Sequence, residues 1–216
     1  MISHEYRTPV SIISTNLDIL DLKNRQKAFA IDAQLSKMRE SVAKLIALVE
    51  TALSREKLLT GKLVANKLKL DFVTLAEQVI AELKGSYPRR QVIVHCAQKK
   101  LPFYGDPELL MLFLKNLLEN AFKYSASDQP VMVTLSLNAQ QLLVEVADQG
   151  IGIAHADMEY IFDKYHRAAN TANTSGIGLG LYMAKLVVVQ HDGEISVLCP
   201  PSGGTQVRTI FPVVAK

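Results

Sequence analysis

Tryptophan is absent from the 216 residues, cysteine occurs only twice, and no apolar run approaches the length of a membrane span. Cys96 and Cys199 sit in separate apolar, strand-like runs without Cys-x-x-Cys spacing, so buried, reduced thiols of a cytoplasmic protein are expected. Charge of one sign is scarce too: the net charge is +3 and there is no long basic run, which argues against nucleic acid or a membrane surface as a partner. No signal peptide, internal repeat or low-complexity segment is read. What is present is 49% hydrophobic and 21% charged, enough to bury a core in one or two ordinary domains and too apolar for disorder. The helical pattern is already running at His4, so Met1 is expected to open an excised fragment.

Residues 1 to about 58 read as two helices. Ile2, Tyr6, Val10, Ile13, Leu17 and Leu20 mark the apolar seam of the first; Ile31, Leu35, Met38, Val42, Leu45, Val49 and Ala52 mark that of the second. Polar Lys23 to Gln26 is the turn between them. Two such helices leave apolar surface uncovered, and pairing with a second copy into a four-helix bundle is the economical solution. The alternative is a hairpin that packs on its own second domain.

Beyond a hinge at Gly61 and Lys62, strand and helix patterns alternate. Strands are expected at Lys67 to Phe72, Gln91 to Ala97, Val131 to Leu137, Leu142 to Ala147, Glu194 to Leu198 and Thr205 to Phe211. Helices are expected at Val73 to Lys84, from the Asp106-Pro107 start to Tyr124, and at Gly178 to Gln190. This order fits helices covering one face of a mixed sheet.

Four stretches carry chemistry. His4 lies off the apolar seam of the first helix, with Thr8 one turn along the same polar stripe. A neutral imidazole is a competent nucleophile near physiological pH, and adjacent Glu5 can orient the ring by leaning across. Alone, His4 would read as a solvated surface histidine. Asn116, Asn120 and Lys123 share one face of the long helix, where an amide oxygen can complete a Mg²⁺ shell and an ammonium can meet phosphate. Asp148 closes a strand, and Gly150 and Gly152 follow it, so a carboxylate stands ready for an exocyclic amine while the backbone can pass close to a flat base. Gly176, Gly178 and Gly180 precede or open a helix, whose N-terminus and free backbone can cradle phosphate. Between the glycine clusters, Ala154 to Ser175 has the composition of a lid, anchored by Phe162, with Lys164 and Arg167 placed to face phosphate or solvent.

In this order the stretches resemble the cytoplasmic core of a two-component sensor histidine kinase. Ser3 to Pro9 is similar to the H box, Asn116 to Tyr124 to the N box, Asp148 to Gly152 to the G1 box, Phe162 to Arg167 to the F box, and Gly176 to Leu181 to the G2 box. The resemblance implies an α+β chain: an antiparallel helical hairpin over 1–60 forming a dimeric four-helix bundle, a linker over 61–66, and an α/β sandwich ATP-binding domain of the Bergerat type over 67–216. It implies that His4 accepts the phosphoryl group from ATP, that Glu5 assists, and that Thr8 positions water when a response-regulator receiver domain is dephosphorylated. It further implies that Asn120 binds Mg²⁺, that Asn116, Lys123 and Tyr124 surround the phosphates, that Asp148 with Gly150 and Gly152 holds adenine, and that Thr205 closes the adenine pocket. Gly176, Gly178, Leu179, Gly180 and Leu181 form its second glycine box. A longer protein would have room for a membrane anchor upstream. Tyr6, Val10 and Gln149 depart from the commoner residues of the family, away from the chemistry.

Two other readings stay open at this stage. Gyrase-like ATPases share the nucleotide fold but carry a glutamate one turn before the metal asparagine, where this chain has Asn116. A non-catalytic dimeric scaffold is the third reading.

Overall fold

The computed structural model describes residues 65–168, 178–201 and 203–213. These belong to the second of two units into which the chain divides, Met1–Leu63 and Val64–Lys216. The helical hairpin, His4, Glu5, Thr8, Gly176 and the 169–175 part of the expected lid lie outside the described residues.

The described unit is α+β. Strand β1 (Leu68–Asp71) leads into helix α1 (Phe72–Ser86), then come β2 (Val92–Cys96), β3 (Pro102–Gly105), α2 (Pro107–Tyr124), β4 (Val131–Leu137) and β5 (Gln141–Asp148). Helix α3 (Gly180–Gln190), β6 (Glu194–Leu198) and β7 (Thr205–Pro212) complete it. Five strands form a mixed sheet in the order β2-β4-β5-β7-β6, with β2 parallel to β4 and every other pair antiparallel. β1 and β3 form a separate two-stranded sheet.

Period-two alternation decides which face of the large sheet is covered. Val131, Val133 and Leu135 of β4, Leu142, Val144 and Val146 of β5, and Val207, Thr209 and Phe211 of β7 are all buried. Their neighbours, including Thr134, Glu145 and Arg208, point the other way, and Glu145 pairs with Arg208 across the β5–β7 ladder. Helix α2 lies on the apolar face, with the Phe113 ring edge-on to Phe211 at 5.4 Å between centroids. α1 and α3 pack against α2, so the helices cover one face as the sequence pattern implies.

The start of α2 follows from Asp106 and Pro107. The Asp106 carboxylate accepts the Leu109 N–H at 3.1 Å, and proline takes a first-turn position where no N–H is needed. The other oxygen of Asp106 accepts the Asn66 N–H at 2.7 Å, which fastens the beginning of the described chain to the same point.

Two expectations need correction. β3 is a strand that the sequence pattern does not reveal; it is four residues long and pairs Gly105 with Leu68 through Pro102 with Asp71. The thiols are free but half-exposed rather than buried, because Cys96 is the last residue of β2 and Cys199 follows the last residue of β6. Among the described residues no helix is long and apolar enough to cross a membrane.

Candidate functional site

Asp148, Gly150, Asn120 and Gly180 come together at the C-terminal half of α2. Strand β5 ends at Asp148, whose register partner is Thr205, the first residue of β7. One carboxylate oxygen of Asp148 accepts the N–H groups of Gly150 at 2.8 Å and Thr205 at 3.3 Å. No backbone donor meets the second oxygen, Oδ2, among the described residues, so it is the one a ligand amine can reach. Burial pushes the Asp148 carboxyl above the ordinary carboxylate range, against the pull of these two N–H groups and of the Arg90 charge.

Two glycines explain how the backbone closes around this carboxylate. A Cβ on Gly150 would stand 2.2 Å from the Tyr124 carbonyl oxygen, and the next residue, Ile151, donates its N–H to the same oxygen at 3.2 Å. The turn after Asp148 therefore rests on the end of α2. Gly204 has φ +84°, and a Cβ there would stand 2.0 Å from the Asp148 carbonyl oxygen, so β7 can begin beside Asp148 only through glycine. Gly152 has φ +66° and faces the Gly204 carbonyl.

One turn before its end, α2 presents Asn120, half-exposed, to the start of α3. A Cβ on Gly180 would lie 3.0 Å from the Asn120 amide nitrogen and 3.2 Å from its amide oxygen. The residue before α3, Leu179, supplies no side-chain cap, and the N–H groups of a helix's first turn have no partner within the helix. Leu181, half-buried, sits in that turn. Gly178, at φ +69°, packs under the backbone of Tyr165 and His166, and its carbonyl accepts the Tyr165 N–H at 3.0 Å. An amide oxygen beside a helix N-terminus suits Mg²⁺ that is held chiefly by phosphate oxygens. Among the described residues no group of three or more His, Cys, Asp or Glu side chains could hold a metal by itself.

The remaining predicted residues fall less centrally. Asn116 is buried, and its amide donates to the Leu112 carbonyl of its own helix at 2.8 Å. Lys123 donates to the Tyr124 hydroxyl at 2.8 Å, with its ammonium 4.6 Å from the Tyr124 ring centroid. Lys164 is exposed and lies over the Tyr165 ring at 5.1 Å. Arg167 is exposed.

Two residues escape a reading of the sequence. Arg90, in the loop before β2, reaches across to the carbonyl end of α2. Its Nη1 donates to the Ala126 carbonyl, and its Nη2 to the Phe122 carbonyl at 2.6 Å and the Ser125 hydroxyl at 2.6 Å. His191, just past α3, is buried and bridges two helices through both ring nitrogens. In sequence Arg90 is one of two arginines after a proline and His191 a lone histidine after an apolar run; only the long-range partners give either a role.

Residues 105–215 match the family model described as histidine kinase-, DNA gyrase B-, and HSP90-like ATPase. The signal transduction histidine-protein kinase ArlS of Staphylococcus haemolyticus is 28% identical over 214 residues, 97% of this chain and 47% of the relative. ArlS of Staphylococcus aureus is 27% identical with the same coverage. The chain thus spans about half the length of the curated relatives it matches. Among solved structures, full-length ShkA in complex with AMPPNP superposes at a TM-score of 0.66 with 25% identity, over 100% of this chain and 46% of ShkA. The mycobacterial sensor histidine kinase MprB superposes at 0.61 with 23% identity, over 69% of this chain and 99% of that one, a likeness of fold.

Proposed function

The chain belongs to the histidine kinase-, DNA gyrase B-, and HSP90-like ATPase family, and from that premise we propose that it is the core of a two-component sensor histidine kinase. It would phosphorylate His4 from ATP and pass the phosphoryl group to an aspartate of a response regulator. The names of its relatives support this reading, as does the nucleotide analogue named with ShkA. The observation that carries it is the placement of Asp148, Asn120 and the N-terminus of α3 around one end of α2.

In this reading Oδ2 of Asp148 accepts the adenine amine, and Thr205 and Gly204 close the pocket behind it. The Asn120 amide oxygen joins the Mg²⁺ shell, and the first turn of α3, with Gly176 to Leu181, receives phosphate. Mg²⁺ held there would supply positive charge to offset the negative charge of the phosphates. A ring nitrogen of neutral His4 attacks the γ-phosphorus, the bond from phosphorus to the bridging oxygen breaks, and ADP leaves. Glu5 holds the ring in the tautomer that frees the attacking nitrogen. Lys123, Lys164 and Arg167 neutralise charge at the rim, where the Tyr124 hydroxyl offers a hydrogen bond.

Kinase is favoured over gyrase-like hydrolysis by Asn116. This side chain is buried and its amide is engaged with the Leu112 carbonyl, and an amide has no basicity with which to activate water. The domain plan of a hairpin over 1–60, a linker over 61–66 and an ATP-binding domain over 67–216 belongs to this proposal. So do dimerisation through the hairpins, a phosphatase activity that depends on Thr8, and a membrane anchor in a longer protein. Incubation with γ-³²P-ATP tests the central claim. Acid-labile label on the chain is expected; phosphate release without label would favour the ATPase, and neither would favour a scaffold.

A further inference from the structure

We propose that Arg90 is a positioning residue of the nucleotide site: it holds the carbonyl end of α2 as the floor beneath the Asp148–Gly152 turn. This rests on the nucleotide-binding reading above and adds a residue that none of the motif boxes contains.

The geometry has two parts. The first is the floor. The last carbonyls of a helix have no partner within it, and Arg90 collects them: Ala121 at 3.2 Å and Phe122 at 2.6 Å, with Ala126 and the Ser125 hydroxyl just beyond. Its guanidinium also lies 5.1 Å from the centroid of the Phe122 ring. Between these lies the Tyr124 carbonyl, which takes the Ile151 N–H and against which Gly150 packs. Arg90 thus grips the residues on both sides of the group that supports the turn. A planar fork with several donors can do this where a lysine cannot. The grip leaves its Nε buried without a hydrogen-bond partner among the described residues.

The second part is charge. The carbonyl end of a helix is negative, and here it lies directly under a turn that begins with a half-buried carboxylate. Left alone, burial and that field would both favour protonated Asp148. The groups that oppose them are the N–H donors of Gly150 and Thr205 and the cation of Arg90, which also faces Asp128 in the loop before β4.

The test is a titration of the whole chain with a fluorescent adenine nucleotide at a series of pH values, for the unsubstituted protein, Arg90→Lys and Arg90→Met. Arg90→Gln, whose amide can still donate to one carbonyl, stands in if Arg90→Met does not fold. The unsubstituted chain is expected to bind and to lose affinity on acidification as Asp148 protonates. Arg90→Lys keeps the charge and loses the fork, so it should bind more weakly with the acid midpoint in place. Arg90→Met, or Arg90→Gln, should bind roughly tenfold more weakly at neutral pH, with the acid midpoint moved to higher pH. In an Asp148→Asn background the midpoint should not respond to residue 90. A midpoint that stays put in Arg90→Met or Arg90→Gln, or unchanged affinity in either, overturns the proposal. Failure of the unsubstituted chain to bind any adenine nucleotide overturns the functional reading itself, and this role with it.

Discussion

Nε2 of His191 accepts the backbone N–H of Asp106 at 2.9 Å, while its Nδ1 donates to the Val187 carbonyl at 2.8 Å. Both bonds are satisfied only by a neutral ring protonated at Nδ1, because a second proton on Nε2 would face an N–H. The bond ties the cap of α2 to the end of α3.

Acid should therefore loosen this tie. Burial holds the His191 pKa below the usual 6.5, outweighing the bond to the Val187 carbonyl and the Asp106 and Asp192 charges. A depressed folded-state pKa contributes stability that is complete above pH 6.5 and is lost as pH falls through the lower folded value. Thermal denaturation between pH 8 and pH 5 should show a falling Tm, and His191→Gln, which keeps a donor and an acceptor but does not titrate, should flatten that fall. An equal slope in the variant would remove His191 as the cause.

Gly204→Ala should damage both fold and site. The new Cβ would enter the space of the Asp148 carbonyl at 2.0 Å from a backbone at φ +84°. A residue forced into such a conformation costs about 1–3 kcal/mol, to which the clash adds. A lower Tm together with weaker adenine-nucleotide binding is expected. Gly203→Ala is the control for the φ term, since at φ +90° it meets no atom within 4 Å, so it should lower Tm while sparing binding.

Gly180→Ala should separate stability from function. Alanine in a helix gains up to about 1 kcal/mol over glycine, so Tm should hold or rise. The added methyl group would press on the Asn120 amide at 3.0–3.2 Å. Mg²⁺-dependent nucleotide affinity and phosphate incorporation should fall. A variant with full Mg²⁺ dependence would show that the Asn120 amide has room to yield.

His4→Gln should abolish acid-labile phosphate incorporation and leave nucleotide affinity unchanged, since every residue assigned to the nucleotide lies beyond position 115. Label in the variant would assign the acceptor elsewhere.

What was legible in the sequence was local. Asp106 followed by Pro107 marks a helix start because an N-cap and a first-turn proline act within one turn, and the structure places both as expected. Asp148 with its glycines could be read for the same reason. β3 could not: Pro102 to Gly105 spans too few residues to show alternation, and its partner strand lies more than thirty residues earlier. The burial alternates all the same, Phe103 and Gly105 inward and Pro102 and Tyr104 outward. Arg90 is harder still, since its acceptors, backbone carbonyls and the Ser125 hydroxyl, lie 31 to 36 residues away, and a carbonyl has no sequence signature. The exposure of the thiols is not legible either, because apolar neighbours indicate a strand but not whether a residue is at its middle or its end. Cys199 in fact exchanges contacts with the Ile153 backbone, accepting its N–H at 3.3 Å.

Helix ends ordinarily fray. The eighteen residues of α2 are fastened at both, by the Asp106 carboxylate at one and the Arg90 guanidinium at the other. Such a helix works as a ruler. Asn120 and Lys123 stand three residues apart, a separation of about 4.5 Å along the axis, and the bonds at both ends oppose unwinding of the turn between them. A polyphosphate laid against this face would meet an amide and an ammonium at a spacing that thermal motion of the helix end does not blur.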